Sequence, residues 1–317
     1  MNRRCDFCYR LCSLDDGAIG ICGVRQNQGD RVVTLGWGEV VALALDPVEK
    51  KPLYHYKPGH HTLSVALFGC NFRCSFCQNY SISQPQYHSA RTRGTMEPME
   101  VVALALSHNS PSISFTYSEP MVWQDWMIEV ATGAKEAGLA TIMVTNGSFS
   151  SAALTRLLPL IDAFNVDLKG DEAFYRTVCA SHRKPVLDGI EAISRAGNHL
   201  EVTTMVIEGV HTPAILDDLA AALVQRKIAV WHLSRYVPHY HGPEAATGEA
   251  YVRQSCERAH ANGITHVYAG NCRFDRTTYC PVCARPLIGR SDAAISSTLV
   301  DGVCPGCGHR LYGHFPP

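Results

Sequence analysis

The 317-residue sequence predicts an α/β protein: a partial (βα)6-type barrel carrying cysteine-rich, metal-binding extensions at both termini. Three observations carry this. From about residue 60 short apolar runs alternate with longer helical patterns, as in a parallel sheet with crossover helices. Residues suited to chemistry fall just past the carboxyl ends of those runs. Eleven of the fourteen cysteines lie in three tight groups, two of which flank the alternating region.

Taken in order, the strands are HTLSVALF (61–68), SISFTY (112–117), ATIMVT (140–145), DAFNVDL (162–168), LEVTTMVI (200–207), IAVWHL (228–233) and ITHVYAG (264–270). The helical patterns between them cover 98–108, 120–137, 150–158, 185–196, 213–226 and 248–262. Several open on Glu97-Pro98, Glu119-Pro120 or Thr212-Pro213, where the N–H that proline lacks would have had no partner. Seven strands with six intervening helices suit an open or partial barrel better than a sandwich or a bundle. A doubly wound sheet is the competing topology. The chain divides into an N-terminal cysteine-rich extension (1–60), a barrel core (61–272) and a zinc-ribbon-like module (273–317).

Composition narrows the class. Hydrophobic residues make up 46% and charged residues 18%, with a net charge of -1 and no run of Lys or Arg. Nothing here steers the chain toward nucleic acid or an anionic membrane. No apolar stretch approaches the ~18 residues of a membrane span, and MNRRCDFCYRLC has no apolar segment of a secretory signal behind its basic residues. The expectation is a cytoplasmic protein. In a reducing compartment fourteen cysteines point to metal rather than to disulfides.

Cys70, Cys74 and Cys77 stand in GCNFRCSFCQN, a CxxxCxxC cluster directly after the first strand. Three thiolates ligate three irons of a [4Fe–4S] cube and leave the fourth open for a chelating amine and carboxylate, unlike the closed four-cysteine ferredoxin pattern. A zinc site borrowing a ligand, or three buried cysteines, is the plainer alternative. Beyond the following strands lie Glu119, Asn146, Lys169 and Arg235, all on the rim where active sites of parallel α/β folds form.

The motif resembles that of the radical S-adenosylmethionine (SAM) superfamily. The resemblance spans residues 60–272 and extends past the cysteines. Phe76 fills the family's aromatic position near the adenine of SAM. Thr116-Tyr117-Ser118-Glu119 replaces the Gly/Glu-type motif that holds the methionyl amine; the glycines are missing and the carboxylate survives. VTNG (144–147) and DLKG (167–170) look like the ribose and carboxylate contacts of the pyruvate formate-lyase activating-enzyme branch, which implicates Asn146, Asp167 and Lys169. The runs DPVEKKPLYH, FTYSEP, NVDLKG, WHLSRYVPHY and VYAGN are together similar to the radical SAM component of the AmmeMemoRadiSam system. The resemblance implies a one-electron cleavage of SAM at a reduced [4Fe–4S] cluster, giving methionine and a 5′-deoxyadenosyl radical that abstracts hydrogen from a C–H bond. It also implies an electron donor of the flavodoxin or ferredoxin kind.

Around this centre, His232 alternates inward on its strand and Arg235 is placed to bind the SAM carboxylate or the substrate. His239 and His241 read as solvated loop residues, and Lys50, Lys51 and His55 receive no role. Cys280-Pro-Val-Cys283 and Cys304-Pro-Gly-Cys307 form two CxxC knuckles separated by 20 residues, the spacing of a closed tetrahedral zinc ribbon. Cys5, Cys8, Cys12 and Cys22 suit either zinc or an auxiliary [4Fe–4S] cluster. The substrate stays open between a small molecule and a protein partner, the latter as for a glycyl-radical activating enzyme. A multi-zinc scaffold without redox chemistry is the reading from another class.

Overall fold

The computed structural model describes residues 1–87, 94–243, 245–291 and 294–316. Its centre is an eight-stranded sheet. We number the strands β1 (Val40–Pro47), β2 (His61–Leu67), β3 (Ser112–Phe115), β4 (Ala140–Thr145), β5 (Ala163–Asp167), β6 (His199–Val206), β7 (Val230–Arg235) and β8 (His266–Gly270). Each strand pairs with its neighbours in sequence, β2 to β8 all in parallel and β1 antiparallel to β2. This order decides between the two topologies. A doubly wound sheet reverses its strand order at a switch point, and none occurs here. Sequential right-handed crossovers put the helices that connect the strands on one face and leave the other face as the inside of an open barrel.

Besides a single turn at Tyr80–Ser83 beside the cysteine loop, the helices described are α1 (Pro98–Ser107), α2 (Gln124–Glu136), α3 (Ser151–Leu157), α4 (Glu172–Val178), α5 (Arg183–Ala196), α6 (Pro213–Gln225) and α7 (Glu249–Ala261). Ser150, Asp171 and Thr212 cap α3, α4 and α6 by accepting from the N–H of Ala153, Phe174 and Ile215. Between them and the sheet lies the main apolar core, with Trp123, Trp126, Phe164, Ile190 and Trp231 fully enclosed.

Three elements differ from the expectation. No helix was expected between residues 168 and 185, yet Asp171 caps α4 there. The extension of residues 1–60 divides in two, since Val40–Pro47 is an edge strand of the main sheet. The expected helix at 120–137 begins as a 3-10 turn, Pro120–Trp123, before α2 takes over.

After β1 the chain turns inward, and Lys51–Tyr56 crosses beneath the barrel interior. Asn165 donates to the Pro52 carbonyl at 2.8 Å. The N–H groups of Tyr54 and His55 donate to the Glu201 carboxylate at 2.9 and 2.7 Å. His199 and His232 bring their Nε2 atoms to the same carboxylate at 2.9 and 2.6 Å. Burial opposes charge on Glu201, but these imidazole hydrogen bonds hold its carboxyl well below the usual range. Glu201 therefore ties together β6, β7 and the floor segment.

The C-terminal residues complete the floor. A three-stranded antiparallel sheet of β9 (Thr278–Tyr279), β10 (Pro286–Arg290) and β11 (Ile295–Ser297) sends Arg290 over the Tyr54 ring, 4.4 Å from its centroid. The Tyr312 hydroxyl donates to the Leu200 carbonyl and accepts from its N–H, both at 2.9 Å. His314 N–H donates to the His55 carbonyl at 2.8 Å. No helix among the described residues is long and apolar enough to cross a membrane.

This floor is rich in histidines buried without charge. Burial lowers His266 to about 4, and lowers His55 as well. The unfolded chain binds these protons near pH 6.5 and the folded chain does not, so stability is present above pH 6.5 and lost as pH falls toward 4. For His266 alone the loss reaches about 3 kcal/mol. Urea unfolding at pH 7.5 and pH 5 is expected to show a clearly lower midpoint at the acid end; equal midpoints would contradict the assignment.

Candidate functional site

The cysteine loop starts where β2 ends. Gly69 turns the chain at φ 116, and a Cβ there would stand 2.9 Å from the Val24 side chain, so only glycine makes the turn. Cys70, Cys74 and Cys77 follow on a loop held from several sides. Arg73 donates to the carbonyls of Cys70 and Phe72 at 2.8 Å and also to that of Ile21. Ser75 N–H reaches the Val178 carbonyl at 3.0 Å, and His241 N–H reaches the Ser75 carbonyl at 2.8 Å. The three thiols are close enough for Cys70 to feel the charges of Cys74 and Cys77.

All three open onto a cavity of about 1550 Å³ on the inner face of the barrel. The same cavity collects Phe76, Glu119, Asn146, Asp167, Lys169, His232 and Arg235, every residue singled out in the core sequence. Their detailed settings differ. Glu119 is buried, and its carboxylate accepts from Thr145 Oγ1 at 2.6 Å, Asn146 N–H at 2.8 Å and Met121 N–H at 3.2 Å. Burial pushes the Glu119 carboxyl up to about 7 in spite of these bonds. Asn146 donates to Asn71 Oδ1 at 2.8 Å and sits 3.9 Å from Cys70 Sγ. Lys169 pairs with Asp167 at 2.7 Å, and their charges act on the Cys74 thiol. Phe76 packs on Phe174 with ring centroids 5.6 Å apart.

The sheet register sets the depth of the rest. Asp167, Thr203 and His232 pair across β5, β6 and β7 and form one tier. Arg235, at the end of β7, stands at the rim, where its Nε donates to the Thr247 carbonyl at 2.6 Å. Tyr117, in the left-handed region at φ 70, hydrogen-bonds Asp46 through its hydroxyl and lies under the Lys51 ammonium, 4.5 Å from the ring centroid. Lys51 pairs with Asp46 at 2.7 Å. His55 is enclosed in the floor, bonded to Tyr268 at 2.7 Å. Lys51 and His55 thus act in building the cavity. Sequence reasoning missed Glu201 and Arg290, which only the fold brings to the floor.

The donor set fits a site-differentiated iron–sulfur cluster. Three soft thiolates stand on one loop beside an open volume; the other cysteine lining the cavity, Cys272, lies outside that loop, after β8. Cys179, the nearest other thiol, is buried behind Cys74 in the core. At the far end of the chain the four ligand atoms of Cys280, Cys283, Cys304 and Cys307 lie within 4.8 Å of one another. Sulfur contacts of 3.6 Å join Cys280 to Cys307 and Cys283 to Cys304. A tetrahedral ion about 2.3 Å from each sulfur requires such spacing.

Residues 65–220 match the model of the radical SAM superfamily. The uncharacterized protein MJ0808 of Methanocaldococcus jannaschii is 34% identical over 97% of this chain and 94% of its own length. Among solved structures, Streptococcus suis SuiB bound to S-adenosylmethionine superposes with a TM-score of 0.54 at 12% identity, covering 69% of this chain and 55% of that one. A radical SAM methyltransferase from Sphaerobacter thermophilus gives a TM-score of 0.52 at 16% identity, covering 67% of each chain. The chain belongs to the radical SAM superfamily and is an enzyme. That membership implies a [4Fe–4S] cluster and SAM.

Proposed function

We propose that this enzyme binds SAM at a [4Fe–4S] cluster held by Cys70, Cys74 and Cys77 and removes a hydrogen atom from a substrate lodged in the barrel cavity. The observation that supports this reading is the meeting of the three thiols with Glu119, Asn146 and Lys169 on one wall of that cavity. When bound, the cluster supplies the electron that cleaves SAM to methionine and a 5′-deoxyadenosyl radical. Glu119, buried and fixed by three hydrogen bonds, is aimed to receive the methionyl amine. Lys169 and Arg235 offer positive charge to its carboxylate. With SAM bound, Phe76 would face the adenine and Asn146 the ribose. A one-electron carrier such as a flavodoxin or ferredoxin supplies the reductant, and the chain works in the cytoplasm.

The floor and lower wall favour a small molecule or a chain end over a folded protein loop as substrate. Tyr54, His232 and Arg290 close the cavity from below, and Ser291, Ala294 and Ile295 narrow its side. Anaerobic incubation of iron- and sulfide-reconstituted protein with dithionite and SAM is expected to give 5′-deoxyadenosine and methionine in equal amounts. No product, together with zinc as the metal in all three cysteine groups, would leave the scaffold reading instead.

Cys280, Cys283, Cys304 and Cys307 are proposed to hold zinc. The module's apolar core is small, with Leu287, Ile288 and Leu311 beside Cys280 and Cys304. Metal binding worth roughly 10 kcal/mol stands in for the missing core in modules of this kind. Removing one ion per chain with a strong chelator is expected to expose residues 276–300 to proteolysis. Unchanged protection after complete release of the metal would contradict this.

A further inference from the structure

The N-terminal cysteines form a group that the proposed reaction does not use. Cys5, Cys8 and Cys22 are buried and Cys12 is half-buried, in a knuckle built from two short antiparallel ladders. Backbone N–H groups point at the sulfurs: Phe7 at Cys5, Arg10 at Cys8, and Val24 and Arg25 at Cys22. Burial pushes all three of these thiols up, Cys8 to about 12, and the amides turned on sulfur oppose that rise. The thiols also act on one another, Cys5 with Cys12, Cys8 with Cys5 and Cys22, and Cys22 with Cys5 and Cys12. The four side chains therefore surround one volume.

The size of that volume distinguishes a single ion from a cluster. The chain provides a reference for each case. The C-terminal four thiols gather within 4.8 Å, as around one tetrahedral ion. Cys70, Cys74 and Cys77 also feel one another's charge, yet do not gather to that spacing among the described residues. A cubane accounts for this, because its ligand sulfurs sit beyond the corners of a cube and not around a point. The N-terminal four behave like the triad: electrostatically joined, and among the described residues not gathered into a single-ion group as the C-terminal four are.

We propose that Cys5, Cys8, Cys12 and Cys22 hold a second [4Fe–4S] cluster, ligated at all four irons and packed behind the loop of Cys70, Cys74 and Cys77. The inference rests on the triad's assignment as a cluster site. Position adds to spacing. Asn71, one residue past Cys70, carries a side chain that reaches both Cys8 and Asn146. Arg10 donates to the Asn71 carbonyl at 3.0 Å, and Arg73 joins Cys70 to Ile21, beside Cys22. Arg25 lies against Cys5, and Arg73 feels the charge of Cys22, so guanidinium groups offset the negative charge that four thiolates bring. The half-buried Cys12 is the solvent-side edge of the group.

The test is a metal count on full-length protein reconstituted anaerobically with iron and sulfide, with Mössbauer and EPR spectra. About eight irons and about one zinc per chain are expected. Cys8→Ala/Cys22→Ala should lose about four irons while keeping its zinc and the EPR change on adding SAM. About four irons and two zincs in the wild type, or a double variant that loses zinc and no iron, would overturn the proposal. If the double variant does not fold, the wild-type count decides alone. Failure of the triad reading looks different, because Cys74→Ala would then leave the iron content unchanged.

Discussion

Cys74→Ala is expected to lower reductive cleavage of SAM by more than about a hundredfold, beyond what loss of a group behind a metal ligand costs. Cys74 is the middle residue of the triad and is buried, its thiol bonded to Cys179, with Lys169 and Asp167 also acting on its sulfur. Alanine fits the site without strain and removes a ligand that no neighbour replaces, because Cys179 is committed to the core behind it. The fold should be retained, since the loop is also held by Arg73, Ser75 and the turn at His241. The measurement is 5′-deoxyadenosine formed per chain, set beside far-UV circular dichroism. Near-normal product from a folded variant would remove the triad from the chemistry.

Glu201→Leu is expected to destabilise the protein by about 3–5 kcal/mol, the cost of deleting one partner from a buried ionic cluster. Leucine would leave the N–H groups of Tyr54 and His55 and the imidazoles of His199 and His232 without their acceptor. His199 Nδ1 is already buried without a partner, so that ring has no other bond to fall back on. Glu201→Gln keeps one carbonyl oxygen and should cost less. Thermal unfolding of the two variants checks this. A leucine variant within 1 kcal/mol of wild type on the unfolding scale would mean that the floor does not depend on the carboxylate.

Much of the barrel was legible because its signals are local. The strands from His61 to Gly270 are apolar runs bounded by turns, and CxxxCxxC is a spacing, so both survive without tertiary knowledge. The rim residues followed from one rule about strand ends. The floor was not legible for the opposite reason. Glu201 inside the run LEVTTMVI carries no local sign of its partners, and only the fold delivers two backbone N–H groups and two histidines to it. Val40–Pro47 was passed over because the parallel core seemed to begin at His61, and an antiparallel edge strand announces itself only through its partner. For Lys51 and His55, the motif was visible and its structural purpose was not.

The one-after-another strand order has a consequence for how the chain acquires its shape. Most pairings of the sheet join segments adjacent in sequence, so loop closure is inexpensive and the sheet can grow in the direction of synthesis. The floor contacts are of another kind: Tyr54 to Glu201 spans 147 positions and Arg290 to Tyr54 spans 236. A nascent chain is therefore expected to hold a nearly finished sheet while its interior still lies open from below.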